Sequence, residues 1–203
     1  MVEIAAGWGR NTAHLIPLSG SLIATDINAD GIERMRRRFS NETKVKDGSV
    51  KLYANNGTAL PMVPDGWATH VYSWDAMVHF ADFVLASYVA EISRILAPGG
   101  TAFLHHSNLA RCPPDAVKGH PNPKACGVPG DVNRVNPEAR SVITSAQYRN
   151  VRSMKELVAT QAARVGLEVV RQKRLPWSLI RNADYRGPAV VDCMTTLRKP
   201  VKH

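Results

Sequence analysis

The feature that most constrains this chain is an apolar run that stops at two glycines. Val2 to Ala6 lead directly into Gly7-Trp8-Gly9, and a second apolar run, Ser21 to Thr25, ends on Asp26. A short apolar stretch bounded by a glycine turn reads as a buried strand. Glycines there let the chain turn sharply and let a ligand approach the backbone, with the next helix's N-terminus nearby. An acidic residue at the tip of the following strand can accept both hydroxyls of a ribose. Together they predict an open parallel sheet with its site at the carboxyl ends of the strands.

The rest of the chain keeps that rhythm. Asn11 to Ile16 predicts a short helix that Pro17 ends or kinks. Ala29 to Phe39 predicts a helix with Ile32, Met35 and Phe39 on one face and Arg34, Arg36, Arg37 and Arg38 opposite. Val50 to Ala54 and Thr69 to Ser73 read as strands. Ala81 to Leu96 is the clearest helix, with Val84, Tyr88, Ile92 and Ile95 at three- and four-residue steps and Pro98-Gly99-Gly100 as its stop. Thr101 to His106 is a fifth strand. Ser153 and Glu156 match a capping box opening a helix through Met154, Leu157, Val158, Gln161 and Val165, which Gly166 stops. Leu167 to Arg174 and Val190 to Leu197 read as two closing strands, joined by a loop holding Trp177, Tyr185 and Arg186. Strands alternating with helices predict an α/β fold, doubly wound around a mostly parallel sheet.

Residues 107–150 break the pattern. They are rich in Pro, Gly, Asn and Arg, and a loop this long in a compact domain usually carries function, so a lid or acceptor-binding insertion is expected there. The whole of 1–203 fits a single domain.

Composition narrows the partners less. At 44% hydrophobic and 21% charged residues, wholesale disorder is excluded. The net charge of +9 is compatible with a nucleic-acid partner, an anionic substrate, or a merely well-solvated surface. Cys112, Cys126 and Cys193 are odd in number and lack CxxC spacing, which reads as reduced intracellular thiols rather than a disulfide framework or a zinc site. The sequence shows no membrane-length apolar run and no signal peptide, so a cytoplasmic location is the default expectation.

Two cofactors suit the glycine turn. A dinucleotide fingerprint needs a third glycine where Thr12 stands, and Glu3 ahead of the turn would repel a pyrophosphate. A carboxylate there suits a ligand with a cationic amino acid end, which favours S-adenosylmethionine over NAD. The run Glu3-Ile4-Ala5-Ala6-Gly7-Trp8-Gly9 resembles the first motif of the class I S-adenosylmethionine-dependent methyltransferases, E-x-G-x-G-x-G, with Ala5 at the first glycine position. Further segments match in order: Asp26 with Ile27, Asn56-Gly57 ahead of Ala59-Leu60-Pro61, Ser73-Trp74-Asp75-Ala76-Met77-Val78-His79, and Glu91 to Gly100.

The resemblance implies a seven-stranded Rossmann-like sheet with a reversed C-terminal strand hairpin. It also implies a donor site formed by Glu3, Ala5, Gly7, Gly9, Asp26, Ile27, Asn56, Gly57 and Ser73, with S-adenosylhomocysteine as product. In the family Asn56 stands where an acid contacts the adenine amine, and Ser73 begins the segment passing the sulfonium. Family members carry a helix or more before the first strand. Here that strand starts at residue 2, so either this chain is truncated or the cofactor's cover comes from elsewhere, a second copy in a homodimer being one source.

Acceptor chemistry is expected after the fourth and fifth strands. Neighbouring strand residues face opposite ways, so only one of His105 and His106 should face the acceptor. His106, nearer the strand end, is the expected general base, with Asp75 orienting it and His79 as a further candidate. A divalent metal lacks a second acidic ligand nearby. The leading expectation is O-methylation of a hydroxylated small molecule such as a sugar. The alternatives are an RNA methyltransferase, or a non-catalytic cofactor-binding protein on the same fold.

Overall fold

The computed structural model describes residues 1–108, 155–176 and 191–201. One sheet contains seven strands: β1 (Val2–Ile4), β2 (Leu22–Asp26), β3 (Val50–Ala54), β4 (Ala68–Met77), β5 (Leu96–Ser107), β6 (Glu168–Pro176) and β7 (Val191–Arg198). Their spatial order is β3-β2-β1-β4-β5-β7-β6. The first five run parallel, and β7 lies antiparallel between β5 and β6. This is the expected doubly wound sheet with its reversed hairpin. The chain winds outward from β1 to β3 and then returns to β4, so the strand order reverses between β1 and β4, where open sheets bind ligands.

Helices α1 (Thr12–Leu18), α2 (Ala29–Arg38), α3 (Thr43–Lys46), α4 (Asp82–Ile95) and α5 (Lys155–Arg164) cover the sheet. Alternate residues of β2 serve opposite faces: Leu22 and Ala24 pack with Ile32, Met35 and Phe39, whereas Ile23 packs with Val2, Ile4 and the α4 side. From α4, Val84, Leu85, Tyr88, Val89, Ile92 and Ile95 are buried, the stripe its periodicity predicted. Each such aliphatic side chain contributes about 1.5–3 kcal/mol relative to exposure.

Three local outcomes differ from expectation. Pro17 lies inside α1, which runs one residue further to Leu18. The exposed carbonyls of that last turn are met from outside: Ser19 Oγ donates to Leu15 O at 2.9 Å, and Lys44 Nζ donates to Ile16 O at 2.9 Å and to Ser19 O. Lys44 belongs to α3, a single turn too short for periodicity to reveal. The fourth strand continues past Ser73 to Met77, with a break in register against β5 between those two residues.

The expected insertion over 107–150, apart from Ser107 and Asn108, lies outside the described residues. So do the Ser153 cap and the loop bearing Trp177, Tyr185 and Arg186.

Candidate active site

The glycine turn after β1 is held in left-handed backbone. Ala5, Gly7 and Gly9 have φ of 59°, 60° and 81°. Ala5 thus occupies a conformation that disfavours a Cβ by about 1–2 kcal/mol, which explains why the family pattern places glycine there. Gly7 donates its N–H to Asp26 Oδ2 at 2.7 Å, and Asn28 N–H donates to Oδ1 at 2.8 Å. Two backbone donors therefore aim the Asp26 carboxylate, leaving one lone pair on each oxygen for a ligand. A Cβ on Gly7 would meet nothing within 4 Å, because that position faces open space.

The open space is a cleft of about 440 Å³ at the strand tips, within the range of small-molecule sites. Its walls include Ala5, Gly7, Asp26, Ile27 and Gly57 from the β1–β3 side, and Trp74, Asp75, His79 and Tyr88 from the β4–α4 side. Five of the nine expected donor residues therefore line one cleft, together with two of the three expected catalytic residues. Trp8 lines it too, 64% exposed, with the Arg34 guanidinium 5.0 Å from the centre of its ring. Arg38 donates to the carbonyls of Trp8 and Gly9 at 3.2 and 3.0 Å. The arginines of α2 thus brace the turn rather than only solvating a helix.

The remaining donor candidates do not line the cleft. Glu3 is 2% exposed and accepts a hydrogen bond from Thr12 Oγ1 at 2.6 Å. Burial pushes its carboxyl up to about 7, against the lowering effect of that bond. Gly9 is a packing glycine: a Cβ there would lie 2.7 Å from Phe39 and 2.9 Å from Met35. The Asn56 amide oxygen already accepts from Thr58 N, Thr58 Oγ1 and Ala59 N, so it caps its own loop instead of facing the cleft. Ser73 is fully buried, and its Oγ has no hydrogen-bond partner among the described residues.

His106 is not placed as a base. It is fully buried, Nδ1 meets Ser107 O at 2.8 Å and Nε2 meets Thr195 Oγ1 at 2.8 Å. Burial drives its pKa down to about 4, so it stays neutral, and it does not line the cleft. Ser107 and Asn108 are buried as well. The histidine on the other face, His105, is the one connected to the cleft, through Asp75 N–H donating to its Nδ1 at 3.1 Å. Strand parity required one of the two histidines to turn away; the pairing of β5 with β7 decided which.

Asp75 itself sits in strand β4 with φ of 59°. Its carboxylate lies 3.5 Å from Arg10, whose side chain is 70% exposed. Such an open pair adds little stability. Tyr88 lines the cleft through α4, and its hydroxyl accepts from Asn55 Nδ2 at 3.2 Å. Burial pushes that phenol up to about 12. Sequence reading missed Tyr88, Trp74 and Arg10 as cleft residues; only the α4 periodicity marked Tyr88, and it marked it as core. Among the described residues no group of three His, Cys, Asp or Glu side chains is placed to hold a metal ion. None of the described helices is long and apolar enough to cross a membrane.

Comparison with known proteins agrees with this geometry. Residues 1–100 match a family described as a methyltransferase domain. No protein with a curated description matches by sequence. Among solved structures, a protein assigned as a sarcosine dimethylglycine methyltransferase from Galdieria sulphuraria aligns with a TM-score of 0.67 at 14% identity, over 98% of this chain and 77% of that one. A geranyl diphosphate methyltransferase in complex with GPP and sinefungin gives a TM-score of 0.67 at 15% identity, over 98% and 71%. A SAM-dependent methyltransferase from Methanosarcina mazei gives 0.63 at 12% identity, over 99% and 92%. Residues 1–100 thus match a methyltransferase-domain family, and the whole sheet shares the fold of these solved structures.

Proposed function

We propose that this chain is an S-adenosylmethionine-dependent methyltransferase that places a methyl group on a hydroxyl of a small polar molecule, such as a sugar. One observation carries the reading: Gly7, Asp26 and Gly57 share a single cleft with Asp75 and His79. S-adenosylmethionine, when bound, supplies a methyl group already activated by the sulfonium. What remains for the chain is to hold donor and acceptor in line and to manage a proton.

The donor side does this with fixed backbone. Asp26 is set by Gly7 and Asn28 to receive a ribose, and the bare backbone at Gly7 and Gly57 lets the nucleoside lie close. The acceptor side offers a carboxylate and an imidazole. A hydroxyl must lose its proton as the new bond forms, and a neutral imidazole nitrogen can accept it. In this reading His79 receives that proton and Asp75 orients the hydroxyl. Trp74 and Trp8 close the walls and exclude water.

The nucleic-acid alternative rested on net charge, and its densest local support is weaker than it looked. Arg34 covers Trp8, Arg36 donates to Leu52 O, Arg37 lies 3.9 Å from Glu33, and Arg38 holds the glycine turn.

A labelled methyl-transfer screen against sugars, phenols, amines and RNA, with and without magnesium, tests the proposal. Label on a hydroxyl of a small molecule is the expected outcome. Label appearing only on RNA or only on amines overturns it.

A further inference from the structure

The strongest unexplained feature near the cleft is a buried acid–histidine pair that ends on backbone. Asp192 and His105 are both fully buried, with His105 Nε2 3.2 Å from Asp192 Oδ2. At the other side of the ring, Nδ1 accepts the N–H of Asp75 at 3.1 Å. Only one tautomer satisfies both contacts: Nδ1 bare and Nε2 carrying the hydrogen, which it donates to Asp192.

The place where this happens is unusual. The regular β4–β5 ladder runs through Ser73↔Leu104 and resumes only at Met77↔His106. Asp75 lies in the gap, in left-handed backbone that non-glycine residues adopt only uncommonly. Its N–H is met by a side chain instead of by a neighbouring strand's carbonyl. The ring is fixed from the side too: Trp74 packs on His105 at 4.4 Å between centroids, and Phe103 continues the stack at 6.1 Å. Asp192 comes from β7, where it pairs with Ser107, two places along from His105. The antiparallel hairpin thus reaches under the acceptor side and ends on the one residue there that is both strained and open to the cleft.

We propose that Asp192 and His105 are positioning residues for Asp75. They hold its backbone in the left-handed state, so that its carboxylate faces the acceptor. The inference rests on the cleft being the methyl-transfer site, but not on the acceptor being a hydroxyl. Were the Asp192 acceptor lost, the ring hydrogen could move to Nδ1. A donor would then face the Asp75 N–H, and the left-handed turn would lose its support.

Nitrogen NMR of the intact chain tests the first half without any acceptor. The expected spectrum shows His105 with an unprotonated Nδ1 and a protonated Nε2. The opposite tautomer in the wild-type protein overturns the proposal. The second half compares Asp192→Leu, which keeps a similar side-chain size without an acceptor, with Asp192→Asn, which retains one oxygen. Asp192→Leu should move the Asp75 amide resonance, while calorimetric affinity for S-adenosylhomocysteine stays within about twofold. With any acceptor that is turned over, kcat should fall by about tenfold or more, and Asp192→Asn should restore most of it. An unmoved Asp75 resonance in folded Asp192→Leu, or an asparagine variant as impaired as the leucine one, overturns the proposal. A screen yielding label on amines would defeat the hydroxyl reading and leave this one standing.

Discussion

The two sides of the cleft are built from different materials. The β1–β2 side uses backbone: three left-handed residues in one turn, and a carboxylate aimed by two N–H groups, all within residues 5–28. The β4–β5 side uses side chains from distant parts of the chain, with Asp75, His105 and Asp192 meeting across separations of 30 and 87 residues. A shared nucleoside donor can be served by a local, repeatable loop. An acceptor that differs between enzymes is served by side chains, which can be exchanged without rebuilding the fold.

The largest effects should separate the two sides cleanly. His79→Ala is expected to lower kcat by about 10²-fold or more while leaving donor affinity unchanged. Asp26→Ala should do the reverse, weakening S-adenosylhomocysteine binding by roughly 10- to 100-fold through loss of hydrogen bonds to a charged group. Calorimetry and initial rates on both proteins decide this; a shared loss of both properties would erase the contrast.

Next in size is the rigidity of the donor turn. Gly9→Ala combines φ of 81° with a Cβ 2.7 Å from Phe39, and should cost about 3 kcal/mol in denaturant unfolding. A loss under about 1 kcal/mol would mean the turn is softer than its packing suggests.

Glu3 adds a pH dependence of comparable size on the same side. Its folded-state pKa is about 7, raised by burial above the unfolded carboxylate range. Stability is therefore fullest below the unfolded value and is lost as pH rises through about 7, by roughly 3 kcal/mol. Glu3→Gln should flatten the slope between about pH 5 and about pH 8. A variant that keeps the wild-type slope assigns it to another group.

The smallest effect expected is a gain. Ala5→Gly relieves a left-handed alanine, and should stabilise the chain by up to about 1 kcal/mol after the greater entropy of unfolded glycine is set against it. Thermal unfolding measures it, and a loss of stability would contradict the strain at Ala5.

The donor side was legible in the sequence because its signals are local. Gly7 and Asp26 could be placed from an apolar run, a turn and the next strand's tip, and Gly57 from the resemblance; all three line the cleft. Gly9, Asn56 and Glu3, expected from the motif, do not line the cleft. Gly9 makes room for Met35 and Phe39, and the Asn56 oxygen serves its own loop. Across the cleft, Asp75 and His79, singled out for lying after the expected fourth strand, line it as well. Neither His105 nor His106 lines the cleft; His105 reaches it only through the Asp75 N–H, and proximity to a strand end says nothing about which face a residue takes.

The succession of strands along the chain, the amphipathic helices and the acid at the tip of the second strand follow from the sequence alone, since hydrophobic period and turn chemistry act over a few residues. The left-handed Asp75, the tautomer forced on His105 and the withdrawal of His106 were decided by tertiary structure. Each depends on the register of β5 against β4 and β7, and register is set by packing between segments far apart in the chain.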